Sequence, residues 1–293
     1  ALAAPDAGRL DEPAAPHRAE PHLARVEGKI DARRVAHADA ALADAGLAYD
    51  RFNYRMRADR YDDAAALILE RSKSAASLGD PAAWSKRRAD LARILLRQGQ
   101  PKLAFRVAAS HQMTEGDSYV DLEFLAGFIA LRRLGDADTA LGHFTRLKAA
   151  AGTPISLSRA DYWIGRALEA KGDAAGAKAA YQAAAQHQTA YYGQLASEKL
   201  GLVLDPALVK VGEPQRGYKA APFAQSSVLE AGRLLQAIGE RGQAKRFFLH
   251  LAEGQDRAGL EALSDLALLL DEPHLALVVA KQAAEQGWIL PRA

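Results

Sequence analysis

Apolar side chains recur every three to four residues along almost the whole chain, beginning near Leu23. This spacing puts them on one face of an α-helix, and no alternating Val, Ile or Thr segment indicates a strand. Helical segments are separated by short turns that contain glycine or proline, which end helices. The clearest of these turns are Gly79-Asp80-Pro81, Gly99-Gln100-Pro101, Gly116-Asp117 and Gly152-Thr153-Pro154. The pattern predicts an all-α protein.

Alignment on the turns reveals an internal repeat of two helices. One helix of each unit ends at Gly99, Gly135, Gly172, Gly239 or Asp271. Five residues after each turn stands an alanine: Ala104, Ala140, Ala177, Ala244 and Ala276. Four residues further on stand Phe144, Tyr181 and Phe248 in three units and Ala108 and Ala280 in the other two. Seven residues before the turn stand Ala92, Gly165, Gly232 and Ser264, with Phe128 as the exception.

These positions have a common physical interpretation. Glycine adopts the left-handed conformation that ends a helix. Small residues allow two helices to approach closely, and the aromatic side chain fills the space above the alanine on the same helix face. Hairpins that cannot bury a full face alone must stack on their neighbours. The sequence therefore predicts a right-handed α-superhelix of stacked, tetratricopeptide-like hairpins, and it leaves open whether the superhelix closes into a ring or horseshoe.

Four segments follow from the pattern. Residues 1–22 contain four prolines and no apolar period, which is typical of a disordered or extended leader. Residues 23–204 are predicted to form an N-terminal α-superhelical domain. Residues 205–222 form an irregular Pro- and Gly-rich connector. Residues 223–293 return to helical repeats.

Composition and charge narrow the function classes. Of the 293 residues 49% are hydrophobic, many of them alanine, and only 7% are aromatic, which suits thin layers of closely packed helices. The net charge of +2 gives no global field that would attract nucleic acid or a membrane surface. No apolar run approaches the ~20 residues of a membrane span. The chain has no cysteine, which excludes disulfides and thiolate chemistry.

One stretch indicates a family. It contains Tyr162-Trp163, the run Gly165-Arg166-Ala167, the turn Gly172-Asp173 and then Tyr191-Tyr192-Gly193-Gln194-Leu195-Ala196. With these motifs the chain resembles the soluble lytic transglycosylases, and specifically their long helical, non-catalytic portion. The resemblance extends more weakly from about residue 50 to the end, where 280–288 is similar to the last helix before the family's catalytic domain.

The resemblance implies a periplasmic bacterial protein of peptidoglycan turnover. The family cleaves the bond between N-acetylmuramic acid and N-acetylglucosamine and leaves a 1,6-anhydro end. A single glutamate, in a Glu-Ser motif of a lysozyme-like domain, serves as acid and base. The helical portion carries that domain and helps to hold glycan strands. The implied partners are therefore peptidoglycan strands, a lysozyme-like domain in cis and other cell-wall proteins, with no nucleic acid, no membrane span and no cofactor.

The sequence departs from the family where the chemistry resides. None of its glutamates is followed by serine, and the chain ends at Ala293, where the catalytic domain is expected to begin. We therefore assign no catalytic residue and expect the chain alone to be inactive. At the other end, Ala1-Leu2-Ala3 fits the remnant of a removed signal peptide as well as an arbitrary boundary. A tetratricopeptide-like adaptor that holds a protein segment is the alternative function.

Candidate binding residues fall into two groups. Trp163, Tyr191 and Tyr192 are suited either to stacking on sugar rings or to filling the repeat and domain interfaces, and Gln194 belongs to the same motif. The second group lies in residues 51–110, which contain thirteen Lys and Arg but only six Asp and Glu. Arg51, Arg55 and Arg57 are the leading cluster there, because a basic surface would attract the carboxylates of murein peptides.

We assign no function to the remaining glutamate, histidine and tryptophan candidates and interpret them as solvated or packing residues. Four glutamates on repeat helices are interpreted as solvated helix-face residues: Glu123, Glu169, Glu198 and Glu230. None of the eight histidines has the spacing of a metal site. Trp84 and Trp288 are predicted to pack at the ends of stacked units.

Overall fold

The computed structural model describes residues 44–208, 214 and 216–292, and this part of the chain is entirely helical, without a strand. The all-α prediction is confirmed. The first seven α-helices are α1 Ala45–Arg57, α2 Tyr61–Arg71, α3 Ala75–Leu78, α4 Pro81–Arg97, α5 Pro101–Ala109, α6 Asp117–Ile129 and α7 Ala137–Ala150. The next seven are α8 Pro154–Lys171, α9 Ala174–Ala184, α10 Tyr191–Leu200, α11 Ser227–Ala237, α12 Arg241–Ala252, α13 Arg257–Leu269 and α14 Pro273–Glu285.

Local sequence signals begin these helices. Proline occupies the first turn of α4, α5, α8 and α14. The backbone N–H groups of a first turn have no acceptor within the helix, so proline, which lacks this N–H, costs no hydrogen bond there. The side chains of Asp80, Asp136, Thr153, Asp173 and Asp256 cap α4, α7, α8, α9 and α13 by accepting from backbone N–H groups. Each predicted turn therefore separates two helices.

The predicted turn position is confirmed in all five units. Backbone φ is 77° at Gly99, 83° at Gly172 and 57° at Asp271, all in the left-handed region, and the other two turns share it. A sixth turn of the same kind was missed, because Asp59, with φ 56°, stands where the others have mostly glycine. Ala64 and Ile68 follow it at the repeat spacing and are fully buried.

Glycine and an aromatic ring interlock across each aromatic hairpin. A Cβ added to Gly165 on α8 would lie 2.6 Å from Cε1 of Tyr181 on α9. The same contact recurs between Gly127 on α6 and Phe144 on α7, also at 2.6 Å, and more loosely between Gly232 and Phe248. The absence of a side chain on one helix is therefore what admits the ring of the other.

The exception at Phe128 has a structural cause. The end of α6 winds into a π-helical turn, Ala130–Leu134, which holds one extra residue before the left-handed Gly135. The small residue thus moves to eight positions before the turn, and Gly127 replaces Phe128 in the interlock. The repeat is intact in space although its spacing in the sequence is broken.

Successive helices pack together from α1 to α10, and α11 to α14 form a second packed group. Helix α6 contacts α5 and α7, helix α8 contacts α7 and α9, and α10 covers α8 and α9. Trp84 is 1% exposed, between Tyr49 and Phe52, and Trp288 packs on the C-terminal core. Helix α14 also reaches back to α8, so that an added Cβ at Gly287 would lie 3.7 Å from Cγ of Pro154.

The N-terminal hairpins enclose a buried cation. Arg88 on α4 is fully buried and donates to the carbonyl oxygen of Val107 at 2.8 Å and to Oγ of Ser72 at 2.7 Å. These acceptors lie at the carboxyl ends of α5 and α2, where the helix dipole is negative and favours a cation. Burial lowers the pKa of Arg88 to about 10, so the group stays charged at neutral pH.

One predicted segment is not described and two are described only in part. The leader, 1–22, and the start of the helical pattern at Leu23 lie outside the described residues. The connector, 205–222, contains the short 3₁₀ turns Pro206–Leu208 and Arg216–Ala220, and a third, Pro222–Gln225, precedes α11. No α-helix is described between α10 and α11.

Candidate functional site

The Tyr-Tyr-Gly motif begins α10 and holds it against the preceding 3₁₀ turn, Ala185–His187. Gly193 is buried, and a Cβ added to it would overlap the carbonyl oxygen of His187 and lie 2.5 Å from the carbonyl carbon. Because that neighbour is backbone, no rotamer change can relieve the contact. Only glycine at this position permits the observed approach.

The aromatic members of the motif belong to a cluster across α6 to α10. The ring of Trp163 lies 5.2 Å from Phe128 and 5.8 Å from Phe144, centroid to centroid. Trp163 is 8% exposed, and its Nε1 is buried without a hydrogen-bond partner. Tyr192 is half-buried against Tyr162, with the ring centroids 5.5 Å apart. These two rings therefore line the helix interface and present no open face to a glycan.

Tyr191 and Gln194 point the other way. Tyr191 is 67% exposed and touches Tyr192 edge to face at 5.1 Å, while Gln194 is exposed on the next turn of α10. Of the three aromatic candidates only Tyr191 has a ring available for stacking.

The basic candidates lie on α1, in a different hairpin from the aromatic cluster. Arg57 is exposed, and Arg55 is half-buried with its Nη1 donating to the carbonyl oxygen of Asp63 at 2.9 Å. Arg51 is half-buried, and Tyr54, between them, is 58% exposed. The structure thus separates the two groups of candidates, which would have to contact different parts of a long ligand.

A cleft that the sequence did not indicate lies behind the Tyr-Tyr-Gly motif. It has a volume of about 300 Å³ between the turn that precedes α10, the segment Leu202–Leu208 that follows it, and the end of α14. Gln188 organises the cleft wall: its Nε2 donates to Ser197 Oγ and to the carbonyl oxygen of Val203, and its Oε1 accepts from the backbone N–H of Asp205 at 2.7 Å. The side chain of Gln188 therefore holds the turn before α10 to the segment that follows α10.

The interpretation of Glu123 as a solvated residue is wrong. Glu123 is 3% exposed on α6, where Arg146 Nε donates to its Oε1 at 3.1 Å and His143 Nδ1 lies 2.6 Å from its Oε2. His111 Nδ1 accepts from the backbone N–H of Met113, so its Nε2 carries the proton and donates to Glu123 at 3.2 Å. A helix-face pattern cannot reveal this cluster, because its members come from three elements.

The protonation of Glu123 follows from these contacts. Burial alone raises the pKa of the carboxyl, but the hydrogen bonds from His111, His143 and Arg146 outweigh burial and hold that pKa well below its ordinary value. The other three glutamates, Glu169, Glu198 and Glu230, are exposed as expected. The described residues include no group of three or more His, Asp or Glu side chains arranged to hold a metal ion.

Comparison with known proteins adds no identification: no protein-family model matches the chain, and no curated protein is significantly similar to it. Among the described helices, none combines the length and the apolar character that crossing a membrane requires.

Proposed function

We propose that this chain is the α-superhelical, non-catalytic portion of a periplasmic soluble lytic transglycosylase, which binds or orients murein strands and supports a lysozyme-like catalytic domain. The observation that carries the proposal is the Tyr-Tyr-Gly motif, whose Gly193 is demanded by a backbone contact rather than by the repeat. A simple stack of hairpins has no need of such an element. The return contact from α14 to α8 is consistent with a superhelix that curves towards a ring or horseshoe.

The carboxylates support a holding rather than a cleaving role. A glycosidase needs an acid whose pKa is raised towards neutrality. The pKa of Glu123 is instead lowered. Among the described residues the other buried carboxylates form ion pairs: Asp161 with Lys148 at 2.6 Å, Asp265 with Arg292 at 2.8 Å and Glu272 with Arg241 at 3.1 Å. These ion pairs connect neighbouring helices and place the carboxylates in the framework of the protein.

The surface offers two kinds of contact to murein. Tyr191 presents an aromatic ring for the apolar face of a sugar, and Arg57 presents a cation for the carboxylates of the peptide stems. They lie on α10 and α1, several hairpins apart, which favours a long strand over a small ligand.

The proposal is tested by co-sedimentation of the purified chain with peptidoglycan sacculi. Retention should exceed that of a helical repeat protein of similar charge, and the double variant Tyr191→Ala, Arg57→Ala should be retained less. The chain alone should release no anhydro-muropeptides. Retention equal to that of the control protein would contradict glycan binding, and release of anhydro-muropeptides would contradict the non-catalytic assignment.

A tetratricopeptide-like adaptor is the second candidate, and α11 is the observation that favours it. Leu234 on this helix is 62% exposed and lines a cleft of about 550 Å³, and Ile238, directly after the end of the helix, is 74% exposed. Exposed apolar side chains beside a cleft are typical of a surface that binds another protein segment. A peptide-library screen that yields a tight ligand, together with no affinity for sacculi, would favour the adaptor.

A further inference from the structure

The turn between α5 and α6 is held in place by the side chain of His111. The Nδ1 atom of this ring accepts a hydrogen bond from the backbone N–H of Met113 at 3.0 Å, and its Nε2 donates to Oε1 of Glu123 at 3.2 Å. The ring is buried, so both nitrogens are engaged inside the protein. A neutral imidazole has one N–H and one lone pair, and this turn uses both of them.

The backbone of the turn is in a conformation that needs support. Gln112, between His111 and Met113, has a φ of 61°, in the left-handed region that residues other than glycine seldom occupy. The Nε2 of Gln112 donates to the carbonyl oxygen of Ser72 at 2.9 Å, which joins the turn to the end of α2. Such a conformation persists only where surrounding contacts hold it, so the loss of one contact favours a relaxed backbone.

Met113 lies where two apolar clusters meet. Its side chain packs against the N-terminal core and also against the cluster that Tyr119, Val120, Leu147 and Ala160 form between α6, α7 and α8. The residue is half-buried in the closed turn. A turn that opens would therefore move the thioether of Met113 into water.

The charges around His111 decide which of its two bonds a second proton would break. Glu123 accepts from Nε2, which carries a proton in the neutral ring and in the charged ring alike, so this contact is kept and strengthened. The lone pair of Nδ1 is the site that gains the proton, and the N–H of Met113 then loses its acceptor. The other titratable or charged groups near the turn are His143 and Arg146 on α7, which bind the same carboxylate, Tyr119 on α6, Arg88 on α4, and the exposed Glu115 and Asp117 of the connection itself.

We propose that the turn between α5 and α6 is a pH-sensitive device, in which protonation of His111 at Nδ1 releases the backbone N–H of Met113 and opens the turn. Histidine side chains change charge between about pH 5 and pH 8, so the device responds within that interval. The open turn leaves Nδ1 free to bind a proton, whereas the closed turn occupies its lone pair, so a fall in pH shifts the equilibrium towards the open form. This inference does not depend on the proposed function.

Oxidation of methionine tests the device directly. The chain has two methionines, Met113 and the buried Met56, so treatment with hydrogen peroxide followed by peptide mass spectrometry reports on the turn and on an internal control. Relative to free methionine, sulfoxide formation at Met113 should become about tenfold faster between about pH 7.5 and about pH 5.5, as expected for the loss of roughly one hydrogen bond. The rate at Met56 should stay constant.

Two substitutions separate the roles of the two ring nitrogens. In His111→Asn the side-chain oxygen can accept from the N–H two residues further on, as in an Asx turn, and it does not titrate, so oxidation of Met113 should be slow at both pH values. In His111→Gln the amide can replace Nε2 as the donor to Glu123 but offers no acceptor to Met113, so oxidation should be fast at both pH values. His143→Asn is the matched control: it removes the neighbouring buried histidine, keeps a donor to Glu123, and should retain the response of the wild type. Circular dichroism at both pH values shows that each variant is folded.

Four outcomes would overturn the proposal. A rate at Met113 that does not change with pH in the wild type would show that the turn stays closed. An equal rise at Met113 and Met56 would indicate general unfolding instead of a local opening. A pH response that persists in His111→Asn or in His111→Gln would assign the titration to another group. Loss of the response in His143→Asn would assign it to His143.

Discussion

Replacing Gly193 by alanine tests the central role of the Tyr-Tyr-Gly motif. The new Cβ would lie 2.5 Å from the carbonyl carbon of His187 and 3.0 Å from the carbonyl oxygen of Ala184, where ordinary contacts are 3.4 Å or longer. It would also overlap the carbonyl oxygen of His187, and all these neighbours are backbone, so α10 would have to move away by roughly 1.5 Å from a close-packed turn.

The expected magnitude combines two opposing effects. Overpacking of a core against groups that cannot rotate away costs about 3 kcal/mol, at the upper end of the usual range. Alanine is a better helix former than glycine, so the change within α10 by itself increases the free energy of unfolding by about 1 kcal/mol. The net loss in the free energy of unfolding is therefore about 2 kcal/mol, which corresponds to a fall in Tm of roughly 4–8 °C for a domain of this size.

The assay is urea and thermal unfolding followed by circular dichroism, with Gly242→Ala as the matched control. Gly242 lies in α12, and an added Cβ there meets nothing within 4 Å, so this variant should gain up to about 1 kcal/mol. The two glycine-to-alanine changes should thus differ in sign. A Gly193→Ala protein as stable as the wild type would refute the argument that this backbone contact requires glycine.

Three further predictions concern buried charge. Glu123→Ala should cost about 2–4 kcal/mol in unfolding free energy, because the buried His111 and His143 lose their hydrogen-bond acceptor. The exposed Glu169→Ala should cost less than about 1 kcal/mol, and equal urea midpoints for the two variants would contradict this. The pKa of Glu123 is lowered in the folded state, so its contribution to the free energy of unfolding should be complete above the ordinary glutamate pKa of about 4.3 and should decline as the pH falls below that value. The urea midpoints of the wild type and Glu123→Ala should therefore differ most at pH 6 and approach each other at pH 4 and pH 3. Arg88→Met should cost about 3 kcal/mol, since Ser72 and Val107 lose a buried donor, and a neutral result in urea unfolding would show that the cation is dispensable.

The sequence was most informative about features that depend on neighbouring residues. The turn glycines, the prolines that begin helices and the alanines five residues after each turn all occur where the pattern predicted them. These signals act within a few residues through backbone conformation and steric fit. The sixth turn carries no glycine signal in the sequence, because Asp59 adopts the left-handed conformation that glycine adopts at most of the other turns.

The site was less accessible to sequence reasoning. Trp163 and Tyr191 looked equivalent as stacking candidates, but one is 8% exposed and the other 67%, because packing on α6 and α7 buries only the first. Gln188 carried no sequence signal at all, yet it holds the cleft wall through three hydrogen bonds.

The sequence by itself determined that the described part of the chain is all-helical and where its helices turn. Tertiary structure decided which side chains are enclosed: it drew Glu123 into a cluster with two histidines and an arginine, and it replaced Phe128 by Gly127 through a single π-helical turn. The physical reason is the distance along the chain over which each kind of interaction acts. Helix ends are set by conformational preferences within one turn of chain, whereas burial and ion pairing depend on which helices meet.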